Sequence, residues 1–141
     1  MSEISVTPKL VVDGADRAIE FYRQALGAEQ LVRYEGPDGA VVYAELRIGG
    51  SLLSIKDADQ HDPSAAAIGG SPVLFTLDVD DPDAVGAALE RAGATVVFPI
   101  DDQPYGMRQG RFADPFGIQW IVSRTSEDLS ADEVQQRLDA T

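Results

Sequence analysis

The sequence predicts an α+β protein made of two tandem βαβββ modules followed by a short C-terminal helix. Three observations carry this expectation. A strand-like run, a helical stretch and three further strand-like runs follow one another in the first half of the chain. After a polar segment, the same order restarts. The two helical stretches also end alike, on Leu26-Gly27-Ala28 and on Ala92-Gly93-Ala94, each leading into an apolar run. The distances from the preceding Val12-Asp13 and Val79-Asp80 pairs to these endings differ by one residue, which reads as an internal repeat.

The first module is expected over residues 4–56. Residues 6–12 are a β-rich run closed by Asp13-Gly14, and over residues 15–26 Ala18, Ile19, Tyr22 and Leu26 recur at helical spacing. Gly27 supplies the helix stop, since glycine tolerates the left-handed conformation that ends many helices. Residues 30–34 form a strand, Gly36-Pro37-Asp38-Gly39 a turn, residues 41–48 a second strand, and Gly49-Gly50 a tight hairpin into residues 51–56. Residues 57–71 are polar and rich in Ala and Gly, without periodicity, and are expected to be a linker.

The second module is expected over residues 72–125, beginning with a strand over residues 72–79. Asp81 is placed to cap a helix whose first residue is Pro82, and that helix runs to Gly93. Residues 95–100, 106–113 and 118–123 supply three strands. A final helix is expected over residues 130–139, where Ser130 and Glu133 have capping-box spacing and Val134 and Leu138 share a face. One domain of 141 residues is the expected organisation.

Composition narrows the function classes. With 11 Lys and Arg against 24 Asp and Glu, the net charge of -13 repels nucleic acid and anionic membrane surfaces at long range. The absence of cysteine excludes disulfides, thiolate metal sites and a cysteine nucleophile. No signal-like run opens the sequence and no stretch approaches the length of a membrane span, so the cytoplasm is the expected location and no membrane partner is expected.

Several motifs bear a family resemblance. Ala18-Ile19-Glu20-Phe21-Tyr22 with Leu26-Gly27-Ala28, then Tyr43-Ala44-Glu45-Leu46-Arg47-Ile48-Gly49, then Gln103-Pro104-Tyr105-Gly106, Arg108, Gly110, Asp114-Pro115-Phe116-Gly117 and Trp120 occur in order and at the proper spacing. Together they resemble the vicinal oxygen chelate superfamily of glyoxalases, bleomycin-resistance proteins and extradiol dioxygenases, and within it a PhnB-like branch. The resemblance implies a curved, barrel-like mixed sheet around a small-molecule cleft, and a homodimer. It also implies a possible divalent metal, held from the first and last strands of both modules.

By motif register, those metal-holding positions fall near Thr7, Ser54, Leu74 and Ile121, none of which is a good ligand. A catalytic site for zinc or iron needs about three His or carboxylate donors, and the chain has one histidine. Relatives of this branch often carry His where Tyr43, Ile118 and Thr125 stand here. No metal or other cofactor is therefore expected. His61, between Asp59 and Asp62 in the linker, is read as a solvated residue.

The candidate site follows from strand alternation. Thr7, Lys9 and Val11 are expected on the cleft side of the first strand, Tyr43 and Glu45 on that of the third, and Gln119 and Ile121 on that of the last. Glu45 is the candidate general base or acceptor and Tyr43 a stacking wall or phenol donor; the competing reading is a half-exposed face with Glu45 paired to an arginine. Lys9 is either an anion-binding group or a solvated strand-end residue. Arg108 is a candidate anion clamp covered by Tyr105 or Met107, against the reading that Gly106 and Gly110 merely shape a hairpin. Leu52, Leu74 and Ile121 are expected as apolar walls, and Ser54 and Gln119 as polar contacts. Phe112, Phe116 and Trp120 are assigned to the core.

These residues favour metal-independent binding or sequestration of a small organic molecule. Two enzymatic alternatives stand beside it: a metal-dependent lyase, isomerase or dioxygenase of the glyoxalase type, and a metal-free isomerase or cyclase in which Glu45 moves a proton.

Overall fold

A computed structural model describes residues 3–141. The chain forms two compact units that meet in sequence at Ser71 and Pro72. In the first unit β1 (Lys9–Val12), α1 (Ala15–Leu26), β2 (Glu29–Glu35), β3 (Val41–Ile48) and β4 (Ser51–Asp57) build a four-stranded sheet of order β1-β4-β3-β2. In the second, β5 (Leu74–Asp78), α2 (Pro82–Ala92), β6 (Thr95–Asp102), β7 (Met107–Ala113) and β8 (Gln119–Thr125) build a sheet of order β5-β8-β7-β6. The short helix α3 (Ala131–Asp139) follows. The same order in both sheets, with β1–β4 and β5–β8 parallel and the rest antiparallel, makes the two units copies of one βαβββ plan. The fold is α+β, and in place of one barrel-like sheet it has two separate four-stranded sheets, neither of them closed.

In the first unit the core lies between α1 and one sheet face. Ala15, Ala18, Ile19 and Tyr22 recur on one side of the helix and are buried, as are Leu10, Val12, Ala44, Leu46 and Ile55 of the sheet. The helix starts on Gly14 in a left-handed conformation. Its first N–H groups are satisfied from 42 residues away, because Asp57 Oδ1 accepts from Ala15 N at 2.7 Å, while Asp57 Oδ2 accepts from Val41 N at 2.8 Å. A carboxylate there also complements the positive end of the helix dipole. In the second unit Asp81 caps α2 by accepting from Ala84 N, and Pro82 stands at its start. Leu89, Phe112, Trp120 and Val122 fill the core beneath that helix.

Three departures from expectation bear on the site. β1 begins at Lys9, so Thr7 precedes the strand and is exposed. In β3 the alternation breaks: Tyr34 pairs with Tyr43 but Glu35 with Val41, so Val42 bulges outward while Val41 is buried. The segment expected as a loose linker is tied down. Lys56 Nζ reaches Asp59 and Asp62 at 2.8 and 2.7 Å, Asp59 Oδ1 accepts from the N–H groups of His61 and Asp62, and buried Ser64 donates to Asp13. His61 itself is exposed. Among the described residues, no helix is long and apolar enough to cross a membrane.

Candidate functional site

Each sheet has a helix-covered face and a second face of mixed character. In the first unit the register puts Lys9 beside Ser54 and Ser54 beside Glu45, and Tyr43 beside Tyr34. Four of the anticipated residues thus share one face. Tyr43 donates its hydroxyl to Glu45 Oε2 at 2.8 Å, Lys9 Nζ lies 5.4 Å from the centre of the Tyr43 ring, and the Tyr34 and Tyr43 rings stack at 6.2 Å. The hydrogen bond to the Glu45 carboxylate, with some desolvation, pushes the Tyr43 phenol up. Glu45 therefore partners a tyrosine rather than an arginine. Ser54 is buried and its hydroxyl is directed to Pro8 O, while Leu52 is 44% exposed.

The second unit holds a pocket of about 250 Å³, lined by Phe98 of β6, Gln103 and Tyr105 of the β6–β7 turn, Gln109, Gly110 and Arg111 of β7, and Ile121 of β8. Alternation explains the membership. Arg111 lies opposite Ile121 and Gln109 opposite Ser123, whereas Phe112 belongs to the helix side and Gly110, of the same parity as Phe112, lines the pocket without a side chain. Gly110 is required because a Cβ there would sit 2.7 Å from Phe98 O and Ile100 N of the neighbouring strand. The strand β6 is irregular at this point, with register shifts between Val96 and Phe98 and between Phe98 and Asp101.

A polar relay crosses the pocket floor. Fully buried Ser123 donates to Gln109 Oε1 at 3.1 Å, and Gln109 Nε2 donates to the Tyr105 hydroxyl oxygen. Tyr105 keeps its own proton for another acceptor. Arg111 carries its guanidinium 5.3 Å from the centre of the Phe98 ring, and its Nε is buried without a hydrogen-bond partner. The turn bearing Tyr105 is held from behind: Ser126 and Glu127 N–H groups donate to Gly106 O, and Arg137 of α3 bridges Glu127 and Pro104 O.

Other anticipated residues lie elsewhere. Arg108 is turned to the helix side, where it binds Asp83 and Asp102, so the arginine that faces the pocket is Arg111. Strand alternation decides this, since residues 108 and 111 have opposite parity. Gln119 sits in register between Leu74 and Ala113 with its Oε1 buried and unpartnered, and Leu74 is 41% exposed. Sequence reasoning passed over Phe98, Gln103, Gln109 and Arg111. The parity of Arg111 with Gln109 and Met107 was the available signal for the arginine; the contribution of β6 depends on its bulges and had none.

A metal does not fit this donor set. Among the described residues there is no group of three or more His, Asp or Glu that could hold one, and Ser54, Leu74 and Ile121 at the family's register positions offer one neutral hydroxyl, itself directed to a backbone carbonyl.

Two βαβββ units of identical strand order define a tandem-module α+β protein. Residues 5–122 match the Glyoxalase/Bleomycin resistance protein/Dioxygenase superfamily, and the chain belongs to that family. It is similar to an uncharacterised protein of Mycobacterium bovis, 39% identical over 138 residues that span 94% of this chain and 91% of that one. Among solved structures it resembles a gene product of Arabidopsis thaliana, with a TM-score of 0.72 and 28% identity over 86% of this chain and 99% of that one. It also resembles TnmS3, an antibiotic binding protein from Streptomyces, with a TM-score of 0.61 and 25% identity over 89% of this chain and 100% of that one.

Proposed function

We propose that this protein binds a small organic molecule without a metal or other cofactor, as a cytoplasmic homodimer. The observation that carries the reading is the pocket of the second unit, where apolar Phe98 and Ile121 stand beside hydrogen-bonding Tyr105, Gln109 and Arg111. An apolar lining with a few convergent polar groups is the general make-up of ligand sites. The likeness to an antibiotic binding protein supports binding over turnover. Elemental analysis of protein purified without a histidine tag, with titration by nickel, zinc, manganese and iron(II), tests the metal-free part. A thermal-shift screen of small organic compounds tests the binding part. Tight uptake of one metal per chain would sink the reading, as would a broad screen in which no compound raises Tm.

One observation favours a second reading, a metal-free isomerase or cyclase. The Tyr43 phenol and the Glu45 carboxylate are already hydrogen-bonded, and a phenol held protonated beside a carboxylate is suited to deliver one proton while the carboxylate accepts another. Solvent-deuterium incorporation into a bound ligand, lost in Glu45→Gln, would distinguish turnover from binding.

A further inference from the structure

The pocket of the second unit contains an arginine, Arg111, that has no carboxylate partner among the described residues. The chain has 24 acidic residues against 11 basic ones, and six of the basic ones, Arg23, Arg33, Arg47, Lys56, Arg108 and Arg137, form ion pairs among the described residues. Arg33 pairs with Asp16 and Glu35, Arg108 with Asp83 and Asp102, Lys56 with Asp59 and Asp62, and Arg137 with Glu127. None of the ion pairs among the described residues includes Arg111. Its Nε is buried and unpartnered, and a buried donor left without an acceptor is costly. The guanidinium lies over the Phe98 ring, and the residue stands opposite Ile121 in register.

The second group directed at the same space is also a donor. The Tyr105 oxygen receives a hydrogen bond from Gln109, which in turn receives one from Ser123, so the Tyr105 proton is left for whatever fills the pocket. A guanidinium and a hydroxyl proton beside apolar Phe98 and Ile121 call for an acceptor that is planar and negatively charged. The rest of the protein limits that charge, because a net charge of -13 opposes multiply charged anions such as phosphate esters at long range. A carboxylate carries one charge and matches the two-pronged guanidinium.

We infer that the ligand of the second-unit pocket is a compact aromatic or alicyclic monocarboxylate whose carboxylate is received by Arg111 and Tyr105, with its ring against Phe98 and Ile121. This rests on the pocket being the binding site, and it specifies the ligand's chemistry there. The volume of about 250 Å³ accommodates a molecule of one or two fused rings.

The test uses three probes of one shape on the full chain: 2-naphthoate, 2-naphthamide and 2-naphthylmethylamine. Affinities are measured by isothermal titration calorimetry in every variant, and in the unsubstituted chain the contact is followed by NMR through the arginine Nε–H resonances, with that of Arg111 assigned from its loss in Arg111→Lys and Arg111→Met. The carboxylate is expected to bind at least about tenfold more tightly than the amide, the scale of one charge-assisted contact, and to shift the Arg111 Nε–H. Arg111→Met should remove that advantage while binding of the neutral amide persists. Arg111→Lys, which keeps the charge and loses the fork, should retain part of it. Equal affinity for carboxylate and amide, preference for the amine, or a carboxylate preference that survives Arg111→Met would overturn the inference while leaving the pocket as a binding site. If none of the three moves the Arg111 resonance, the inference falls, and the broad thermal-shift screen decides separately whether the pocket binds anything.

Discussion

Arg108 and Asp83 are joined by two parallel hydrogen bonds, Nε to Oδ2 and Nη2 to Oδ1, each 2.9 Å long. This fork ties β7 to the first turn of α2, and Asp102 adds a third contact at 3.2 Å. The carboxylates are largely exposed, so the pair is screened and its contribution to stability is small. Arg108→Met is expected to lower Tm slightly, measured by circular dichroism, and to leave ligand affinity unchanged. Arg111→Met should do the reverse. Loss of binding in Arg108→Met with binding retained in Arg111→Met would exchange their roles.

Asp114 organises the turn between β7 and β8. Its Oδ1 accepts from the N–H groups of Phe116 and Ile118, and its Oδ2 accepts from the indole N–H of Trp120 at 2.9 Å, all in a buried setting. Asp114→Ala leaves those donors without this acceptor and should cost about 3 kcal/mol or more. Trp120 is the one tryptophan in the sequence, so denaturant unfolding followed by its fluorescence reads the change directly. A loss under about 1 kcal/mol would mean that water replaces the carboxylate.

Two glycines should respond differently to one added methyl group. At Gly86, in α2, a Cβ would meet the Ile100 and Phe112 side chains at 2.7 Å, and Gly86→Ala should cost about 1–3 kcal/mol despite alanine's better helix propensity. At Gly110 the obstacles at 2.7 Å are backbone atoms of residues 98 and 100, which cannot rotate aside. Gly110→Ala should therefore be the more destabilising of the two by urea denaturation, and it should also weaken ligand binding by displacing Phe98.

Acid should weaken the fold in a predictable direction. Asp16, Asp59 and Asp83 are held below the usual carboxylate range by hydrogen bonds from Arg33, Lys56 and Arg108, and Glu133 by the backbone N–H of Ser130. A carboxyl group whose pKa is lower folded than unfolded adds stability above its unfolded pKa and loses it as pH falls through the folded one. Stability should thus be level near neutrality and decline as pH drops below about 4. Because the carboxylates are exposed, added salt should flatten the decline. A decline beginning near pH 6 would implicate other groups.

Tyr43 offers a spectroscopic check on its contact with Glu45. The phenol is pushed up, so its phenolate absorbance should appear at higher pH than that of a free tyrosine, and Glu45→Gln should bring it back down. A Tyr43 titration unmoved by Glu45→Gln would show that burial, not the carboxylate, sets it.

The elements that sequence periodicity placed well are those whose apolar residues pack into their own unit's core. The α1 stripe of Ala18, Ile19 and Tyr22 and the buried alternation of Trp120 and Val122 fall where they were expected. The candidate site was legible in part. Lys9, Tyr43, Glu45 and Ser54 share a face because period-two alternation and the Gly49-Gly50 hairpin fix the register of β3 on β4. Arg108 illustrates the limit: a charged residue in a glycine-rich hairpin looks free until its partner, 25 residues earlier in sequence, is found across the fold.

By itself, then, the sequence determined the two βαβββ repeats, the Asp81 and Ser130 helix caps and the family resemblance, because each depends on residue type or local spacing. Tertiary structure alone decided which polar groups answer one another. Asp57 supplies the start of α1 from 42 residues away, Arg108 is occupied by Asp83, and Arg111 is left without a carboxylate above Phe98. The physical reason is that a charge is spent or available according to what lies within a few ångströms of it, and chain separation does not set that distance.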